Sequence, residues 1–304
     1  MSLDLPAVDV PQAYRDTVEP LAVSDEPKIV SISDIHGYLA EARSALLTLS
    51  DHPAYEPVVT TAADGTLQWA HNDYVLIFNG DLVDRGPDND AVLEMVGRLA
   101  TQAPSGRVRV TLGNHEGMIL TPDTFRFDYW YSTNVSESLR RSYLEWIIDG
   151  LVVAAYEGYS VTYAHAGADD PYNVSEVNEA VLAAADRLQT AVGTPDDRSV
   201  QAAVIAETST VLGTGEVHLK RPPAGLIWLD FQFISADAPR QVVGHTRHDR
   251  PTVKGNVYCQ NVIRNTRDSF GGECVFVESP GELIALVRGP EGGVSEKQLT
   301  EHTG

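Results

Sequence analysis

The sequence predicts an α/β fold: one compact domain in which sheets are sandwiched between helices. Two observations carry this. From Lys28 onward, short β-branched apolar runs alternate with stretches of helical period, the pattern by which helices come to pack on a sheet. Each apolar run ends in a polar or glycine-rich turn, so the runs read as strands buried on both faces. The expected strands are residues 29–33, 74–78, 108–112, 159–164 and 241–243, with expected helices at 40–49, 91–100 and 136–148.

The remaining segments have a different character. Residues 1–27 lack periodicity, carry prolines and acids, and read as a loosely packed lead-in. Residues 170–223, rich in Ala, Asp and Thr, read as a helical insertion or lid. Residues 257–262, 274–278 and 283–287 read as successive antiparallel strands separated by glycine-rich turns, and 291–304 as a tail, so the domain proper is expected over 28–290.

At 304 residues, 43% of them apolar and 21% charged, the chain is long enough to bury a substantial core. No run approaches the length of a membrane span. The acidic N-terminus has no long apolar stretch, which argues against a secretory leader, and a cytoplasmic setting is expected. The formal net charge is −21, and only four of the 22 basic residues are Lys. Such an excess repels nucleic acid and anionic membrane, so neither is an expected partner. It is also the pattern expected of a protein adapted to high salt, where the Debye length shrinks to about 3 Å and self-repulsion is screened. Cys259 and Cys274 lie in apolar runs and are expected as buried free thiols.

Chemistry gathers at the strand ends. In order these give Asp34-Ile35-His36-Gly37, Asn79-Gly80-Asp81-Leu82-Val83-Asp84-Arg85-Gly86, Gly113-Asn114-His115-Glu116, Ala164-His165-Ala166-Gly167 and Gly244-His245-Thr246. The carboxyl ends of strands are where α/β sheets collect their ligands. Asp34 and His36, two apart, would project to one side if the chain were still extended there. A glycine adjoins the polar group in every segment and lets backbone approach a ligand closely. Singly, Asp81 reads as well as a helix cap and Asn114 as a turn residue; together the five segments read as a site.

The set D-x-H, G-D-x-x-D-R-G, G-N-H-E, H-A-G and G-H-T resembles the phosphoprotein phosphatase branch of the calcineurin-like metallophosphoesterases. That branch includes serine/threonine phosphatases and symmetric diadenosine tetraphosphatases. The resemblance spans roughly residues 28–290 and implies a β-sandwich flanked by helices, with a dinuclear metal site at the strand ends. It implies Asp34, His36 and Asp81 on one metal, and Asp81, Asn114, His165 and His245 on the second, with Asp81 bridging. Two divalent ions are implied, Mn²⁺ foremost; the N and O ligands also suit Fe, Zn, Ni or Co. A bridging hydroxide would attack phosphorus directly, Arg85 would grip the phosphoryl oxygens, and His115, oriented by Asp84, would protonate the leaving oxygen. Glu116 is expected to support the ligands rather than to bind metal.

One departure stands out. Eukaryotic-type and phage-type members of the branch this chain resembles carry a further phosphate-binding Arg between the fourth and fifth blocks. Here the family-like Trp228 is followed by Asp230 without an adjacent Arg, leaving Arg221, Arg198 and Arg247 as candidates. His52, His71, His218 and His302 are expected to be non-catalytic, with His248 marginal. The motifs imply hydrolysis of a phosphorylated substrate, either phosphoserine or phosphothreonine in proteins or a diadenosine polyphosphate. A non-catalytic metal-binding module is a third reading. Tyr129, Trp130, Tyr131 and Tyr143 are candidates to stack on a base.

Overall fold

The structure, a computed structural model, describes residues 3, 5–23, 26–70, 72–125, 127–216 and 218–299. His71 and His302 lie outside the described residues. In chain order the strands are β1 (Ile29–Ile32), β2 (Val59–Thr61), β3 (Leu67–Trp69), β4 (Val75–Phe78), β5 (Val108–Thr111), β6 (Val152–Val153) and β7 (Ala155–Glu157). They continue with β8 (Thr162–Ala164), β9 (Gln241–Val243), β10 (Thr252–Lys254), β11 (Val257–Cys259), β12 (Cys274–Ser279), β13 (Glu282–Arg288) and β14 (Val294–Gln298). The longer helices are α1 (Leu39–Leu46), α2 (Asn89–Gln102), α3 (Asn114–Leu120), α4 (Glu137–Ile148), α5 (Val174–Ala191) and α6 (Asp197–Glu207).

Two sheets form the sandwich. The larger runs β14-β13-β12-β1-β4-β5-β6 and the smaller β10-β11-β9-β8-β7; β2 and β3 form a separate hairpin. β1, β4, β5 and β6 are mutually parallel, as are β8, β9 and β11. Side chains alternate across β1 as strand geometry requires. Ile29 joins Val75, Ile77, Tyr163, Val242 and Phe276 in a core between the sheets, whereas Val30 and Ile32 join Leu76, Phe78, Leu93, Val96 and Leu144 beneath the helices. The outer face of the smaller sheet is closed by Leu229, Phe231 and Ile234 from a largely irregular segment. The parallel strands of both sheets bring their carboxyl ends to one region, and the five motif segments meet there.

Several boundaries differ from expectation. The lead-in is tightly packed: Val10 and Val18 are buried, Trp146 Nε1 donates to the Pro6 carbonyl, and buried Arg109 donates to that of Tyr14. Expected loose packing followed from missing periodicity, but here side chains of the domain supply the partners. The tail contains β14, paired along β13. Residues 257–262 do not precede 274–278 in one antiparallel series, since β11 belongs to the smaller sheet and β12 pairs with β1. Both cysteines are buried and free.

Candidate metal centre

Asp34 and His36 do not lie on extended chain. Their φ angles are 53° and 50°, and Asp81, Asp84, Arg85 and His245 are also left-handed at 55°, 72°, 73° and 57°. Non-glycine residues rarely adopt this region, and such strain collects where the surrounding structure enforces it for function. Here the enforcement is visible: backbone N–H groups of Asp34, His36 and Gly37 donate to the carbonyls of Gly80, Asp81 and Leu82, stitching together the loops after β1 and β4. Turning rather than pleating therefore brings Asp34 and His36 inward. At Gly244 a side chain would collide with the Asp34 carboxylate, so glycine lets the two loops touch.

The side chains converge around Asp81. Its Oδ2 lies 3.6 Å from His36 Nε2, 3.3 Å from His165 Nε2 and 3.9 Å from His115 Nε2. Asn114 Oδ1 lies 2.9 Å from His245 Nδ1 and 3.3 Å from His165 Nε2. Two trios of potential ligand atoms result, each within 4.8 Å: His36, Asp81 and His115, and Asp81, His165 and His245. Asp81 belongs to both. The first trio is closed by His115 rather than by Asp34, whose Oδ1 stands 3.9 Å from His36 Nε2 and accepts from Asn261 Nδ2 at 2.7 Å. Asn261, unremarked in the sequence, thus fixes the Asp34 carboxylate; its only sequence signal is an Asn just past a strand.

The donor set fits divalent cations. His36 and His165 donate from Nδ1 to the carbonyls of Val83 and Asn79, both at 3.0 Å, which turns each Nε2 toward Asp81. His245 lacks such support, since its Nε2 is buried without a partner. Burial, reinforced by Asp81 and partly offset by His165, pushes the Asp34 carboxyl up to about 7. Burial likewise drives His36 down to about 3 against the pull of Asp81. Burial would lower His165 as well, but the charge and hydrogen bond of Asp81 outweigh it and raise the imidazole to about 9, so a positive charge among these buried carboxylates is favoured, the place a cation would take. Glu116 does not compete for that place. Its two oxygens accept from the backbone N–H groups of Asp81, Leu82 and Gly113 at 2.8, 2.8 and 3.1 Å, so it shapes the loop that carries Asp81.

His115, whose Nε2 closes the first trio, is paired with a carboxylate through its other ring nitrogen. His115 Nδ1 donates to Asp84 Oδ2 at 2.5 Å, and Asp84 Oδ1 accepts from the Ser132 N–H at 3.0 Å. Burial disfavours charge on Asp84, but these bonds outweigh it and hold the carboxyl below its usual range. The imidazole of His115 stacks on Trp130 at 4.8 Å, and the Arg85 guanidinium lies over the same indole at 4.2 Å. A cavity of about 410 Å³ opens above, lined by Arg85, His115, Phe127, Trp130, Trp228, Arg247 and Arg264 among others.

The model of the calcineurin-like phosphoesterase family matches residues 27–189, more than half of the chain. The chain belongs to the calcineurin-like phosphoesterases. As a member of this family it is a metal-dependent phosphoester hydrolase, and the two His/Asp trios fit the family's dinuclear centre. Solved structures of similar fold include a cold-active protein-tyrosine phosphatase of a psychrophilic Shewanella species, at 18% identity, with 97% of this chain and 87% of that one covered and a TM-score of 0.61. A protein serine/threonine phosphatase from Saccharomyces cerevisiae is 16% identical over 98% of this chain and 85% of its own, with a TM-score of 0.46. At 18% identity the likeness to the tyrosine phosphatase is one of fold.

All the motif residues named from the calcineurin-like phosphoesterase pattern reach this region. Of the three arginines considered for the missing phosphate contact, Arg247 lines the cavity. Arg221 instead faces Phe233 and Arg198 is exposed on α6. Arg264, overlooked because it follows the last motif, lines it too. Among the aromatic candidates Trp130 faces the cavity, Tyr129 is exposed, Tyr131 bonds Asp90, and Tyr143 is core.

Proposed function

We propose that the chain hydrolyses phosphomonoesters, phosphoserine and phosphothreonine in proteins among them, by direct transfer to water. The observation that carries this is the His115–Asp84 pair at 2.5 Å, with His115 Nε2 turned toward the Asp81 carboxylate around which His36, His165 and His245 gather. In this reading Asp34, His36 and Asp81 hold one cation, and Asp81, Asn114, His165 and His245 the other, with Mn²⁺ the first choice. Two cations there would acidify a shared water and offset charge on the phosphoryl oxygens. Arg85 steadies those oxygens with its planar fork, its guanidinium kept in place by Trp130. Asp84 fixes the His115 tautomer so that the proton sits on Nδ1 at rest, and a second proton on Nε2 is available to a leaving oxygen.

A second reading, hydrolysis of a dinucleoside polyphosphate, is favoured by the walls. Phe127, Trp130 and Trp228 offer faces to a base, and the cationic rim suits a polyphosphate. Residues 28–290 are the catalytic unit in both readings; of 170–223, His218, Leu219 and Lys220 reach the cavity. Among the described residues no helix is long and apolar enough to cross a membrane, and a cytoplasmic, salt-adapted setting accords with the acidic charge.

The test is phosphate release by Mn²⁺-loaded protein from p-nitrophenyl phosphate, a phosphothreonine peptide and diadenosine tetraphosphate, at low and multimolar KCl. Preference for the two esters supports the first reading, and preference for the dinucleotide the second. Silence on all three with two metals bound would overturn both.

A further inference from the structure

We propose that Arg247 and Arg264 form a second anion seat beside the metal centre, which receives the second phosphate of a phosphoric anhydride such as a nucleoside polyphosphate. This rests on the phosphoesterase reading above and narrows its substrate class. Arg247 follows the ligand His245 by two residues, and Arg264 lies in the helical turn Ile263–Thr266. Both line the cavity that holds His36, Asp81, Asn114 and His115.

The charge environment is what singles them out. In a chain of 43 acidic and 22 basic residues, three guanidiniums, those of Arg85, Arg247 and Arg264, line one cavity. Yet among the described residues no ion pair or hydrogen bond engages Arg85, Arg247 or Arg264, whereas Lys220 on the same cavity is faced by Asp230 at 4.0 Å. Burial and the charges of Arg85 and Arg247 lower the affinity of Arg264 for its proton, the signature of like charges held together. An anion between them would remove that repulsion.

One phosphoryl group does not need all three. The metal centre and Arg85 account for the scissile phosphate, and Arg247 and Arg264 remain for its neighbour. With an anhydride, water adds to the terminal phosphorus and the bridging P–O bond breaks. The leaving phosphate keeps the bridging oxygen and takes the His115 Nε2 proton, which a proton from the attacking water replaces. The extra negative charge on that leaving group develops where the two arginines stand.

The experiment compares ADP with p-nitrophenyl phosphate on Mn²⁺-loaded wild type, on the double variant Arg247→Met/Arg264→Met, and on Arg198→Met as an exposed control. In the double variant the ratio of kcat/KM for ADP to that for p-nitrophenyl phosphate is expected to fall about ten- to hundred-fold, as loss of charge-assisted phosphate contacts implies. The control should leave the ratio unchanged. Equal losses on both substrates would place the arginines on the scissile phosphate and overturn the seat, as would an unaltered ratio. A binding measurement stands apart from turnover and from the variant's folding. By calorimetry, methylenediphosphonate should bind metal-loaded wild type at least about tenfold more tightly than methylphosphonate, and equal affinities would overturn the seat. Wild type that hydrolyses neither substrate, yet shows this difference in binding, would sink the phosphoesterase reading and leave the anion seat standing.

Discussion

Asn114 and His115 are neighbours in the first turn of α3, yet their side chains face different tasks. Asn114 Oδ1 meets His165 and His245, while His115 is held by Asp84 and stacked on Trp130. Replacement of His115 by Ala should therefore leave two metals per chain by mass spectrometry and reduce turnover by about 10²- to 10⁴-fold, the usual worth of a general acid. Asn114→Ala should lower turnover and also release the second metal more readily to a chelator. Equal metal loss in both variants would contradict the division. Trp130 offers a subtler case, since one indole contacts both His115 and Arg85. Trp130→Leu keeps an apolar filler but removes the π face, and should reduce kcat/KM by about three- to thirtyfold with metal content unchanged. An unaffected kcat/KM would show that stacking does not position either group. The residues proposed as ligands were legible in the sequence because metal chemistry restricts residue type and spacing. Asn261 and Arg264 were not, and Trp130 was named only as a candidate to stack on a base, because their roles depend on contacts that Asn261 makes with Asp34 across 227 residues and that Arg264 and Trp130 make with Arg85 across 179 and 45.

At the scale of elements, the helices that cover the larger sheet are tied together by one ion pair. Arg140 on α4 is buried, donates from Nε to the Leu120 carbonyl at the end of α3, and makes a bidentate pair with Asp197 at the start of α6, at 2.6 and 2.9 Å. Burial raises the Asp197 carboxyl, but bonds from Arg140 and Gln201 outweigh this and leave its pKa below the ordinary value. Arg140→Met removes one partner of a largely buried pair and should cost about 3 kcal/mol in denaturant unfolding. Because the folded pKa of Asp197 lies below the unfolded one, its contribution is complete above the unfolded value and is lost as pH falls through the folded value. The stability gap between wild type and Asp197→Asn should accordingly hold steady above about pH 5 and narrow as pH falls below about 4; a gap constant down to about pH 2 would mean the carboxylate charge is not what binds α4 to α6. This tie connects three helices, of which only α4 was expected individually. α3 was hidden inside the G-N-H-E motif, whose residues read first as ligands, whereas α5 and α6 fall in a segment expected as a helical insertion or lid without individual bounds. Strands β6, β7, β10 and β14 were missed for a different reason: they are two to five residues long and mostly edge or near-edge strands, so burial gives them little alternation to read. The central strands, buried on both faces, were the legible ones.

For the molecule as a whole, the quantity to explain is how a chain of net charge −21 stays compact. Its core is ordinary in kind, with apolar clusters between the sheets and beneath the helices, and it gives no hint of the charge outside. The repulsion must therefore be carried by the surface, where acids outnumber bases and few ion pairs join them. Screening by salt acts on that term alone and is nearly spent once the Debye length approaches ionic radii, falling from about 10 Å at 0.1 M to about 3 Å at 1 M. The melting temperature should thus rise steeply with KCl at low concentration and flatten near about 1 M if self-repulsion is the whole cost. A rise that continues undiminished to multimolar KCl would instead indicate an effect on hydration or apolar burial, because no further screening is available there. A flat melting temperature from the lowest salt upward would show that the surface carboxylates are spaced widely enough for water alone to separate them, and would remove the support that the acidic charge lends to a salt-adapted setting.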